Sequence, residues 1–123
     1  DPAVALYQFL DDVGAVISNG GRIVAHNIDF DVAVISHCAT TNAEFEGQWD
    51  AAAMTPFLLC TMKSPDVIDF CKTVNGRRKY PRLSELYRCL FNDEPKGTLH
   101  DARDDTRILY ECFSGLASRN ILK

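Results

Sequence analysis

Two adjacent glycines decide the class of fold. Asn19-Gly20-Gly21 separates an amphipathic run from a short apolar one. Ahead of it, Leu6, Phe9, Leu10, Val13, Val16 and Ile17 recur at helical spacing, the pattern of a helix that buries one face. Asp1-Pro2 supplies an N-cap and a first-turn proline, both good helix openers. The glycines stop the helix, because the chain commonly turns left-handed just past a helix end. Beyond them, Arg22-Ile23-Val24-Ala25-His26 is short and largely apolar, which predicts a strand buried on both faces. A second helical pattern starts near Asp31, with Val34, Ile35 and Cys38 on one side. Helix, tight turn, buried strand, helix is an α/β signature.

The remainder extends that pattern. Residues 40–53 are polar and mixed and read as loop and helix. Phe57-Leu58-Leu59-Cys60-Thr61, preceded by Pro56, reads as a second buried strand. Ser64-Pro65-Asp66 opens a helix that Val67, Ile68 and Phe70 bury. Leu83, Leu86, Tyr87 and Leu90 place another helix on the core, ending near Asn92. A last helix begins at Asp101 as N-cap, with Leu109, Cys112, Phe113 and Leu116 as its buried stripe. Between these helices, residues 72–82 carry five basic side chains and no acid. That segment has two readings, a solvated turn and a phosphate-contacting arm.

Length and composition bound the rest. A chain of 123 residues is one domain or part of one. Its 46% hydrophobic and 24% charged residues are ordinary for a soluble globular chain. No apolar run approaches the ~20 residues of a membrane-spanning helix, and no basic-then-apolar leader opens the chain. A cytoplasmic protein without membrane association is therefore expected. Cys38, Cys60, Cys71, Cys89 and Cys112 are odd in number and lack a Cys-x-x-Cys spacing. Reduced core thiols are expected, and a zinc site is not. A net charge of −4 argues against a broad basic nucleic-acid surface. It does not exclude a nucleic-acid enzyme whose acidic pocket holds divalent cations.

Two acids stand out by their placement. Counting back four residues from Leu109 gives Asp105, and three more give Ala102, so Asp105 lies on the apolar face of the last helix. A buried carboxylate is costly unless it is paired or binds a metal. Asp31 precedes Val34, Ile35 and Cys38 by three, four and seven residues and heads the stripe of its own helix. The strand over 22–26 feeds into that helix, at the strand's carboxyl end, where open α/β sheets bind ligands. His100 falls on the loop just before the last helix, a position that suits a base beside a metal. The plainer readings are a capping histidine and a carboxylate that tilts out to water.

These residues resemble a known family. Ile23-Val24-Ala25-His26-Asn27-Ile28-Asp29-Phe30-Asp31 is similar to the second motif of the DEDD 3′–5′ exonucleases, in which two apolar residues lead to His-Asn and then Phe-Asp. His100-Asp101-Ala102-Arg103-Asp104-Asp105 resembles the third motif of the histidine branch, His-x4-Asp. The tyrosine branch would need Tyr where Asp101 stands. The resemblance covers nearly the whole chain and extends to proofreading exonucleases of the polymerase III epsilon type. It implies an RNase H-like fold and a two-metal site for Mg²⁺ or Mn²⁺. Asp31 and Asp105 would be metal ligands, and His100 would be the general base. Asn27 and Phe30 would lie near the terminal nucleotide, although an aromatic plug in the core is the stronger reading of Phe30 from its residues alone. His26 and His37 are read as structural. The implied partners are a single-stranded 3′ end of DNA or RNA and a DNA polymerase.

One departure is plain. The first motif of the family, Asp-x-Glu on the first strand, occurs nowhere in the 123 residues. The chain also opens on Asp1 rather than methionine. The expectation is an exonuclease domain truncated at its N-terminus, missing its first three strands and inactive in this form. Its first remaining strand would expose an edge, favouring a homo-oligomer or borrowed structure. The alternative is a catalytically silent exonuclease-like module that binds nucleic acid or a polymerase.

Overall fold

A computed structural model describes residues 2–98 and 100–122. The protein is a helix-rich α/β chain with a small two-stranded parallel sheet. It divides into two compact units, Asp1–Leu59 and Cys60–Lys123, and each is built from its own local signals. The expected N-cap at Asp1 lies outside the described residues. No described helix is long and apolar enough to cross a membrane.

In the first unit, α1 (Pro2–Ser18) ends where the glycines require. Gly20 takes φ +77°. Its N–H donates to the Ile17 carbonyl at 3.0 Å, and that of Gly21 to Val16 at 2.8 Å. This is a Schellman ending, which satisfies carbonyls the helix leaves unpaired. The strands are β1 (Ile23–Ala25) and β2 (Leu58–Cys60). Both are half-buried, so β1 is not buried on both faces as its composition predicted.

The second helix, α2 (Ile28–Thr41), opens three residues before the expected start. Its covered side runs through Ile28, Ile35 and Ala39, while Val34 is exposed. Asp31 therefore stands at the solvent margin of the stripe instead of heading it. The core of this unit gathers Leu6, Ala39 and Phe45 with Phe9, Leu10, Ile35 and Trp49. The Trp49 indole N–H donates to Ser36 Oγ at 2.9 Å, which lets the ring be covered without an orphaned donor. The mixed segment over 40–53 forms a 3₁₀ turn at Ala43–Phe45 and the short α3 (Ala51–Met54), capped by Asp50.

The second unit is three helices: α4 (Pro65–Asn75), α5 (Leu83–Phe91) and α6 (Ala102–Ser118). Helix α4 packs on α5, and α5 on α6. Val67, Leu86, Ile108, Cys112 and Leu116 are fully enclosed. The stripe of α6 is Ile108, Cys112, Gly115 and Leu116, with Leu109 and Phe113 only half-covered. Gly115 explains this rotation from the predicted face. A Cβ there would lie 3.1 Å from Phe91 Cζ, so the missing side chain lets α5 and α6 approach along that line. Arg119 closes the contact, donating to the Leu90 carbonyl at 2.7 Å with its guanidinium over the Phe91 ring.

All five cysteines are free thiols. Burial pushes the Cys71 and Cys112 thiols up to about 12, so both stay protonated at neutral pH and pack as small apolar groups.

Candidate active site

The chemistry-bearing residues fall into two groups, one in each unit. Asn27, Phe30 and Asp31 belong to the first, and His100 and Asp105 to the second.

The second group is built by the start of α6. Asp101 caps the helix as expected, its carboxylate accepting the N–H groups of Arg103 at 3.0 Å and Asp104 at 3.2 Å. The chain before it must turn sharply. His100 does so in the left-handed region, at φ +68°, where histidine is tolerated better than most residues. That turn aims the His100 N–H at Asp105 Oδ1, 3.3 Å away. Histidine and aspartate of the His-x4-Asp sequence thus meet through the backbone of one and the carboxylate of the other. The imidazole is exposed, and Asp105 is half-covered at the head of the α6 stripe. One carboxylate oxygen accepts the His100 N–H, and lone pairs on the other are left for a further partner.

The neighbouring acid has a different task. Asp104 Oδ2 accepts the Thr98 N–H at 2.8 Å, and Oδ1 lies 3.9 Å from the Arg107 guanidinium. Asp104 is thereby committed to the loop, which separates its role from that of Asp105. Neither the Thr98 contact nor Arg107 was foreseen from the sequence. The one available signal was the i,i+3 spacing of Asp104 and Arg107.

The first group lies where β1 passes into α2. Asn27 occupies the N-cap position in left-handed geometry, φ 71° and ψ 60°, and its side chain does not cap the helix. Phe30 is 64% exposed. The core-plug reading of this ring is therefore overturned, because Phe9, Phe45 and Trp49 already supply the aromatic packing of the unit. Asp31, one residue on, is exposed, yet protein atoms near its carboxyl partly desolvate it and raise its pKa. His37 is exposed and its carbonyl accepts the Thr41 hydroxyl at 2.9 Å.

Three of the five cations in the segment over 72–82 pair with two acids on the flanking helices α4 and α5. Arg78 pairs with Asp69 at 3.1 Å, Lys79 with Glu85 at 2.6 Å and Arg82 with Glu85 at 3.1 Å. The solvated-turn reading accounts for these three cations.

Among the described residues, no group of three or more His, Cys, Asp or Glu side chains is arranged to hold a metal. The donor chemistry of Asp31 and Asp105 does suit a hard divalent cation, which prefers carboxylate oxygens. Comparison with family models, with curated proteins and with solved structures gives no match to this chain.

Proposed function

We propose that this chain carries the general base and two metal-ligating carboxylates of a 3′–5′ exonuclease. The observation that carries the reading is the His100–Asp105 junction, where a left-handed turn joins the two residues that the His-x4-Asp motif pairs. Exposure of Phe30 beside Asp31 adds support, since an aromatic face open to solvent is a stacking surface for a terminal base.

In this reading His100 accepts a proton from water as the water oxygen forms a bond to the terminal phosphorus. The bond from phosphorus to the 3′ oxygen of the preceding nucleotide breaks, and that oxygen takes up a proton from water to become a 3′ hydroxyl. A nucleoside monophosphate leaves. Histidine suits the step because its ordinary pKa lies near neutrality. Asp31 and Asp105 would hold Mg²⁺ or Mn²⁺, whose chemistry is to lower the pKa of bound water and stabilise charge on the entering and leaving oxygens. Phe30 would position the terminal nucleotide, with Asn27 beside it.

Calorimetric titration with Mn²⁺ tests the reading directly. The wild-type chain is expected to bind the ion, and Asp105→Asn to weaken binding at least about 10-fold. Equal heats from wild type, Asp31→Asn and Asp105→Asn would sink it. In the full natural protein, Phe30→Ala should raise KM for a single-stranded oligonucleotide about 5–100-fold, the range of one lost base–aromatic stack. Its folding stability should stay within about 0.5 kcal/mol of wild type, since the ring contributes little to the core.

A second reading, a catalytically silent exonuclease-like module, is favoured by one observation: no Asp-x-Glu occurs within the 123 residues. It predicts that the full natural protein binds oligonucleotide without releasing mononucleotides, at any Mn²⁺ concentration.

A further inference from the structure

The loop that carries His100 is fastened to α6 at several points, and most of them converge on two side chains. Arg107 donates to the Lys96 carbonyl. The same guanidinium pairs with Glu111 at 3.1 Å, one turn along the helix, and lies 3.9 Å from Asp104. Asp104 in turn accepts the Thr98 N–H at 2.8 Å. Two residues of the loop, Lys96 and Thr98, are therefore held by a pair on the first two turns of α6.

Between them stands Gly97, at φ +105°, a conformation that L side chains rarely adopt. A Cβ there would fall 2.7 Å from Asp104 Cγ, 2.8 Å from Asp104 Oδ2 and 2.9 Å from an Arg107 guanidinium nitrogen. The backbone rests directly on the two side chains, and glycine alone permits it. Further along, the Asp101 N–H donates to the Thr98 carbonyl at 3.2 Å. Fixing Thr98 therefore fixes the start of the turn in which His100 sits.

We propose that Arg107 and Asp104 form a latch that holds the His100 loop against α6, making Arg107 a positioning residue for the proton-transfer step. The inference rests on the exonuclease reading for the reaction it serves, but its mechanical part does not. Arginine is the residue the geometry needs. Its planar fork reaches a backbone carbonyl and two carboxylates together, which a lysine ammonium on a flexible stem holds less well.

The test pairs amide hydrogen exchange with steady-state kinetics of the natural protein. In Arg107→Ala, exchange at the Thr98 and His100 amides should rise at least about 10-fold, while Cys112 and Leu116 in the helix core keep their protection. Turnover should fall about 10–100-fold with KM within about twofold of wild type, because a misplaced base affects the step and not the binding. Arg107→Lys should recover part of that turnover. Gly97→Ala offers an independent route, since it pushes the loop off the latch without touching a charge, and the same paired result is expected. Arg88→Ala, which removes an exposed pair with Glu94 on α5, should change neither reading.

Unchanged exchange at Thr98 in both Arg107→Ala and Gly97→Ala overturns the latch. A freed loop with undiminished kcat overturns its positioning role. A full natural protein that exchanges as described yet releases no nucleotide refutes the exonuclease reading, and the positioning role with it, while leaving the latch standing.

Discussion

Replacing His100 with asparagine in the full natural protein lowers kcat by about 10²–10⁴-fold, the usual contribution of a positioned general base, and leaves the fold and Mn²⁺ affinity intact. Asparagine is the informative choice because the backbone at this residue is left-handed. Asparagine tolerates that region because its side chain can hydrogen-bond locally, whereas alanine has nothing to offset the Cβ penalty there of roughly 1–2 kcal/mol. Both variants keep the backbone N–H that meets Asp105, so both keep that carboxylate oriented. His100→Ala should therefore match His100→Asn in turnover and fall about 1 kcal/mol below it in stability. The measurement is single-turnover release of nucleotide beside urea unfolding of each variant. Turnover by His100→Asn within a few-fold of wild type would remove histidine from the mechanism. A parallel loss of Mn²⁺ binding would mean instead that the imidazole is a ligand.

The parts of the fold that were legible are those written by a local rule. The ends of α1 and α6 followed from Gly20 and Asp101, whose backbone and side-chain chemistry act within a few residues. Helix α4 began at Ser64-Pro65 for the same reason. The errors lie where packing decides. Leu109 and Ile108 have similar apolar character, and which of them turns inward is set by packing against α5, where Gly115 meets Phe91. Phe30 looked like a core residue by composition, but three other aromatic rings fill that role and leave it outside. The first strand looked doubly buried because a run of Ile, Val and Ala carries no sign of what packs on each face of the sheet. In the candidate site, the position of His100 just before α6 and of Asp105 in its first turn was legible from the helix-start signal. The bond between them was not, because it comes from the His100 backbone N–H in a left-handed turn. Nor was the latch, because it depends on the left-handed backbone at Gly97 and on the reach of an arginine one turn into the helix.

The largest expected effect on stability comes from Glu85, the third residue of α5. Its side chain is 12% exposed. Desolvation alone would raise its pKa. Hydrogen bonds from the Lys79 ammonium, the Arg82 N–H and the Arg82 guanidinium outweigh that and bring it down to about 2 from 4.5. The Arg82 N–H contact, at 3.1 Å, is the reciprocal half of a capping box and satisfies a donor at the helix start. A carboxylate depressed in the folded state stabilises fully above its unfolded pKa and loses that contribution as the pH falls through the folded value. The window here runs from about 4.5 down to about 2. A shift of that size corresponds to about 3 kcal/mol, of which the pairing with Arg82 is partly screened because its side chain is 81% exposed. Glu85→Gln should therefore lose about 2–3 kcal/mol at pH 7, measured by urea unfolding. Wild type and variant should converge as the pH approaches 2, since protonation of Glu85 and its replacement remove the same charge. At neutral pH, 1 M NaCl should narrow the gap only in part, because Lys79 is less exposed than Arg82 and its 2.6 Å contact is less open to screening. A difference that stays constant from pH 7 to pH 2.5 would show that Glu85 acts through shape or capping alone, and that the two cations beside it contribute nothing to the fold.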